Sequence, residues 1–204
     1  IFSLFLIAEE VIGPSFLPVF MRECDERGEG AAWRFANTLL ALQGIALIVV
    51  VGVLMAFPEW ITRLWTQWSE ASHPEAFAMA ADSVHRLAPA LLGLSLGSTT
   101  YVLLNAYKRF FLAAFGDALW KFVVAGGLVV GVGLLGFGVE ILIWGIVAGS
   151  MLKLLTHLVG LRDKLRWFRP SIDLANPALR RMLWLALPLL VGIVFAKLRD
   201  NINN

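Results

Sequence analysis

From Phe35 to Pro58 the chain runs for 24 residues without a charged side chain. At about 1.5 Å of rise per residue, a helix of that length crosses the roughly 30 Å hydrocarbon layer of a bilayer. No other feature restricts the fold as strongly. In lipid every backbone N–H and C=O must find its partner inside the protein, so a spanning segment is either a helix or part of a closed barrel. The rest of the chain also favours lipid. Only 16% of its 204 residues are charged and 59% are hydrophobic, whereas a soluble domain carries about a quarter charged residues. The mean hydropathy is +0.76. The expected fold class is all-α, a polytopic transmembrane helical bundle.

Other apolar stretches repeat the pattern. Leu87–Tyr107 and Phe122–Val139 carry no charge, and Ile141–Leu161 is interrupted only by Lys153 and His157. Met182–Ala196 is shorter, and Ile1–Met21 is interrupted by Glu9, Glu10, Gly13, Pro14 and Pro18. With their flanks, these give six expected helices at 1–21, 35–58, 87–107, 111–136, 140–161 and 178–200, forming one helical lobe. The chain starts with Ile and stops just after an apolar helix, so both ends are expected to be internal to a longer protein.

The connections alternate in charge. Arg22, Arg27 and Arg34, then Lys108 and Arg109, then Arg162, Lys164, Arg166, Arg169, Arg180 and Arg181 fall on one side, eleven basic residues in all. The other side holds Arg63 and Arg86. The positive-inside rule places the eleven in the cytoplasm. The start of the chain is then extracytoplasmic, and an earlier helix is expected before it. Trp60, Trp65 and Trp68 lie in the outer connection, where the headgroup zone suits an apolar ring with a polar N–H.

Several features argue against other functions. A net charge of +2 gives no basis for a nucleic-acid partner. Cys24 is the lone cysteine, and His73, His85 and His157 are scattered without ligand spacing, so neither a metal nor a cofactor is expected. No serine has a His and Asp constellation, and no catalytic residue is singled out. "GVGLLG" at Gly131–Gly136 matches a nucleotide-binding pattern but lies inside an apolar span, where no strand precedes it. Gly93/Gly97, Gly127/Gly131 and Gly145/Gly149 place small residues one turn apart, which lets helices approach closely.

The informative residues are charges at membrane depth. These are Glu9 and Glu10 in the first span, Asp117 and Lys121 entering the fourth, Lys153 in the fifth, and Lys197, Arg199 and Asp200 at the end of the sixth. Each has a plain structural reading. Asp117 and Lys121 can pair at i,i+4, Lys153 can snorkel to the headgroups, and the last three can lie beyond the bilayer. Taken together, charges on four of six helices point to a polar cavity between helices. Gly13, Pro14 and Pro18 beside Glu9 suggest a broken helix lining it.

Three blocks resemble a known family. "AEEVIGPSFLPVFMRE" is similar to the "AEGAFSxAFVPV" element of the MurJ/MviN-type lipid II flippases, with Ala8, Glu9, Ser15, Phe16 and Pro18 on the pattern. "LAPALLGLSLGSTTYVLLNAYKRFFLAAF" resembles that family's proline-led helix through Pro89, Asn105, Arg109, Phe110 and Phe115. "RPSIDLANPALRRMLWLALPLLVG" resembles its basic loop and following helix through Pro177, Arg180, Arg181, Pro188 and Gly192. The family belongs to the multidrug/oligosaccharidyl-lipid/polysaccharide exporter superfamily. The resemblance implies about the second to seventh helices of a two-lobed, multi-pass transporter of the bacterial cytoplasmic (inner) membrane.

The activity implied is a flippase rather than an enzyme. It moves lipid II, or a similar polyprenyl-diphosphate-linked sugar, from the inner to the outer leaflet by alternating access through a cationic cleft, with a proton or sodium ion as coupling ion. This chain departs from the family in places. Leu4 and Phe5 stand where the family has two arginines, Asp117 and Lys121 where it has proline and asparagine, and Lys197 and Arg199 in and just after its polar stretch. Lys121, Lys197, Arg199 and Asn105 are therefore the expected substrate-binding residues. Glu9, Glu10, Asp117 and Asp200 are the expected acidic coupling or cleft-lining residues. Two alternatives stay open: an exporter of another lipid-linked oligosaccharide or polysaccharide, and a non-transporting membrane scaffold for envelope assembly.

Overall fold

The computed structural model describes residues 2–66, 73–136, 138 and 140–202, with the side chains of 2–9, 194 and 196–202 outside the description. All regular structure among these residues is helical: α1 Phe2–Arg27, α2 Glu29–Ala56, α3 Pro58–Trp65, α4 Pro74–Leu87, α5 Ala90–Ala106, α6 Phe110–Gly126, α7 Glu140–Gly160 and α8 Pro177–Ile202. A π-helical segment, Gly127–Leu134, continues α6. Glu29–Ala56, Phe110–Leu134 and Glu140–Gly160 are each long and apolar enough to cross a bilayer. The pair α4 and α5, bent by 44° at their junction, makes a fourth such span if taken as one.

Two local features differ from the sequence reading. The helix α1 runs through both Pro14 and Pro18 without interruption. Each proline removes a backbone donor from the turn behind it. Ser15 sits in this stretch and donates its hydroxyl to the Val11 carbonyl at 2.6 Å. The helix stops instead at Gly28, whose φ of 84° lies in the left-handed region that glycine tolerates. A single residue thus joins α1 to α2. The connection after α2 also contains helices, α3 and α4, which pack against each other. Pro58 and Pro74 occupy the first turns, where a missing N–H costs nothing. Trp60 and Trp65 are exposed there, while Trp68 lies outside the described residues.

The chain divides into two compact units. The first comprises Ile1–Gln43, Ser98–Ala113 and His157–Asn204. Its core is aromatic: Phe16 stacks on Phe20 and Phe35 at centroid distances of 5.4 and 5.2 Å, and Trp33 and Tyr107 meet Phe20 edge-on. In this unit α1 packs along α8.

The second unit comprises Gly44–Gly97 and Ala114–Thr156 and is built on glycine contacts. Gly93 lies against Ser150 so closely that a methyl group would sit 2.7 Å from that residue's backbone. A methyl on Gly149 would lie 3.0 Å from the Trp120 carbonyl oxygen, and one on Gly131 would meet Ile141 at 2.7 Å. Each of the three glycine pairs in the sequence thus contains a glycine used in packing inside this chain. Dispersion at such close approach replaces the hydrophobic drive that lipid cannot supply between helices.

Gly93→Ala forces two backbones apart and is expected to destabilise the protein by about 1–3 kcal/mol. Gly44→Ala, on α2 with open space around it, is expected to be neutral or to stabilise by about 0.5–1 kcal/mol. Thermal unfolding of the detergent-solubilised variants checks the contrast.

Candidate functional site

The second unit places charges inside a spanning helix pair. Asp117 is the eighth residue of α6 and Lys153 the eighth from the end of α7, so each lies about 10 Å from its helix end. Gly149 against Trp120 and Gly145 against Val123 show that the helices run antiparallel. That register brings Asp117 and Lys153 opposite each other.

The Lys153 side chain is only 2% exposed, and its Nζ donates to Asp117 Oδ1 at 2.8 Å. The other carboxylate oxygen, Oδ2, accepts from Lys121 Nζ at 2.8 Å. One carboxylate is therefore shared by two ammonium groups. Lys121 keeps 63% of its side chain exposed. Lys153 does not snorkel to the headgroups. Its stem lies over Gly97 on α5, where a methyl would come within 3.2 Å of Cε. Space for the stem and a counter-charge for its tip together hold the lysine inward, since a buried ammonium is tolerated only with a partner.

Of the expected site residues, the described structure brings together Asp117 and Lys121. Asn105 is half-buried on α5, in the first unit, and Glu10 is exposed on α1. Glu9 lies on α1, and Lys197, Arg199 and Asp200 on α8, with their side chains outside the described residues, as are those of Leu4 and Phe5. Lys153 was absent from the expected set of site residues. Its position in the span was plain, but its inward direction depends on Gly97 and Asp117, which are remote in sequence.

The first unit holds its own polar contacts. His157 is fully buried; Nε2–H donates to the Ala113 carbonyl at 3.2 Å, and Nδ1 faces the Thr100 hydroxyl at 3.1 Å. Both ring nitrogens are thereby used. Tyr107 donates to Glu29 Oε1 at 2.6 Å and accepts from Trp33 Nε1 at 2.8 Å. Lys164 Nζ reaches the same Glu29 oxygen at 2.6 Å and lies over the Tyr107 ring. Arg109 grips Asp163 with two parallel bonds of 2.5 and 2.6 Å and also donates to the Gly160 carbonyl. That fork holds the Asp163 carboxyl well below the usual range, at about 2.

The surface completes the picture. Ile48, Val49, Phe122 and Trp144 are exposed, while Lys153 and His157 are buried. A soluble protein shows the reverse. The chain is a multi-span helical membrane protein with an ion cluster between two of its spanning helices. It belongs to the lipid II flippase MurJ family, which it matches over residues 2–204. It is 25% identical over 202 residues to the lipid II flippase MurJ of Burkholderia cenocepacia, covering 97% of this chain and 39% of that protein. A probable lipid II flippase MurJ of Rhizobium meliloti is 26% identical over 208 residues, covering 97% of this chain and 38% of the relative. A further probable one, from Rhizobium tropici, is 24% identical over 194 residues. The chain thus spans less than two-fifths of the length of these relatives.

Two predictions follow from this geometry. Asp117→Asn leaves Lys153 buried without its counter-charge and is expected to cost about 3–5 kcal/mol. Lys121→Ala, losing only an exposed pair, should cost less than about 1 kcal/mol. Thermal unfolding in detergent reads both. The Arg109–Asp163 pair sets a pH dependence. Because the folded pKa is depressed from 3.8 to about 2, its stabilisation is full above the unfolded value and is lost as pH falls through the folded one. The stability difference between wild type and Asp163→Asn should hold steady above about pH 4 and shrink toward pH 2.

Proposed function

We propose that the protein containing this chain is a flippase for lipid II or a closely related polyprenyl-diphosphate-linked sugar. It carries the headgroup from the inner to the outer leaflet of the bacterial cytoplasmic membrane and makes or breaks no bond. The observation that carries the reading is the family match over residues 2–204. The shared Asp117 between Lys121 and Lys153 supports it, because ionisable groups at membrane depth in transporters mark substrate or ion paths.

In this mechanism the diphosphate needs cations where the lipid tail needs hydrocarbon. Lys121, Lys197 and Arg199 supply the positive charge of a cleft open sideways to the bilayer, and Asn105 supplies a neutral hydrogen bond. Lys121 suits that role through its exposed ammonium, which already shares Asp117 with Lys153. Arg199 can hold two phosphate oxygens at once. Glu9, Glu10, Asp117 and Asp200 orient these cations or bind the coupling proton or sodium ion. Alternating access of the two lobes then exposes the cleft to each face in turn. A second reading, transport of a different lipid-linked saccharide, is favoured by Leu4 and Phe5 standing where the family has arginines.

The full-length gene, expressed in a bacterium depleted of its own lipid II flippase, is expected to restore outer-face accessibility of lipid II and growth. Replacing Lys121, Lys197 and Arg199 together by alanine should lower that accessibility on the order of tenfold. Membrane-inserted protein without rescue would shift the substrate to another lipid-linked saccharide.

A further inference from the structure

The segment following α7 packs against the start of α2 within the first unit. Asn37 Nδ2 donates to the Trp167 carbonyl at 2.9 Å, and the Trp167 ring covers Gly30. Beside this contact lies a cavity of about 690 Å3. Arg34 from α2 and Arg166 and Arg169 from the segment line it. None of the three has a carboxylate partner among the described residues. Glu29, whose field reaches Arg166, is already bound by Tyr107 and Lys164.

Asn37 and Trp167 also belong to the lining. Asn37 is 3% exposed, and its Oδ1 and the Trp167 Nε1 are closed off by surrounding protein atoms. The cavity therefore offers three guanidinium forks beside an indole ring. A phosphate ester matches that set.

The same segment says where the ligand comes from. Leu165, Phe168, Ile172 and Leu174 are exposed beside the arginines. Basic and apolar side chains together on a surface segment lie in the headgroup zone of a membrane. The segment also carries four of the eleven basic residues that the positive-inside rule assigns to the cytoplasm. We propose that Arg34, Arg166 and Arg169, with Trp167 and Asn37, form a binding site for the phosphate-bearing headgroup of a lipid in the cytoplasmic leaflet. The arginines hold phosphate oxygens, and the acyl or prenyl chain lies along the apolar residues. The site stands independently of any transport step. Two lipids carry this chemistry, an anionic glycerophospholipid and a polyprenyl diphosphate.

Binding to the purified full-length protein in detergent separates the sources. The probes are dioleoylphosphatidylglycerol, dioleoylphosphatidylcholine, undecaprenyl diphosphate and inorganic phosphate. Wild type is expected to prefer one or both anionic lipids over phosphatidylcholine and over inorganic phosphate. The Arg34→Gln/Arg166→Gln/Arg169→Gln variant should weaken that lipid by about tenfold or more. Circular dichroism checks that this variant keeps its fold. A loss confined to phosphatidylglycerol makes the ligand a bilayer phospholipid, and one confined to undecaprenyl diphosphate makes it the lipid-linked class; either supports the site. Arg162→Gln/Arg180→Gln removes two exposed charges outside the cavity lining. An equal loss in that control, unchanged binding in the triple variant, or inorganic phosphate binding as tightly as the lipids overturns it.

Discussion

A lysine ammonium buried between helices sets the conditions for the second unit. At 2% exposure Lys153 has its counter-charge in Asp117, and its stem takes the space above Gly97. Three helices are therefore tied to one side chain: α6 supplies the carboxylate, α7 the lysine and α5 the glycine. The cost of desolvating the ions is recovered only where all three are in place. The glycine contacts of Gly93 and Gly149 give the close approach that makes this possible. Packing and electrostatics are one problem here, because the backbones must be near before the charges can meet.

The first unit uses polarity differently. Its polar contacts are neutral or charge-assisted bonds near helix ends, as in Tyr107 and Lys164 on Glu29, or Arg109 on Asp163. These bonds fix the connections after α5 and α7 rather than the interior of a span. Around Arg34, Arg166 and Arg169 the pattern changes again, to cations without a carboxylate partner among the described residues. Cations left unpaired beside a cavity are where a phosphate-bearing ligand finds its place, whereas the paired ones hold the backbone.

Much of the architecture was legible from the apolar runs. Phe35–Pro58 predicts α2 because no charge interrupts it, although α2 begins earlier, at Glu29, since an amphipathic first turn carries no hydropathy signal. The two prolines of α1 read as a break and are not one, because proline's effect depends on whether neighbouring groups satisfy the freed carbonyls. The helices α3 and α4 were hidden in a mixed polar connection. Asp117 and Lys121 were visible as an i,i+4 pair. Lys153 as their partner was not, since two residues 36 positions apart carry no local signal.

The sequence alone determined the solvent and the helices, because hydropathy and backbone hydrogen bonding in lipid are properties of each segment by itself. It also carried the family, through motifs that need no contact to be recognised. Only the tertiary structure decided which charges meet. Whether a lysine points inward to a carboxylate or outward to headgroups is set by the residue on the facing helix. Whether an arginine is paired or free at a cavity is set by where a distant loop comes to rest. Those are distances between segments, and no segment contains them.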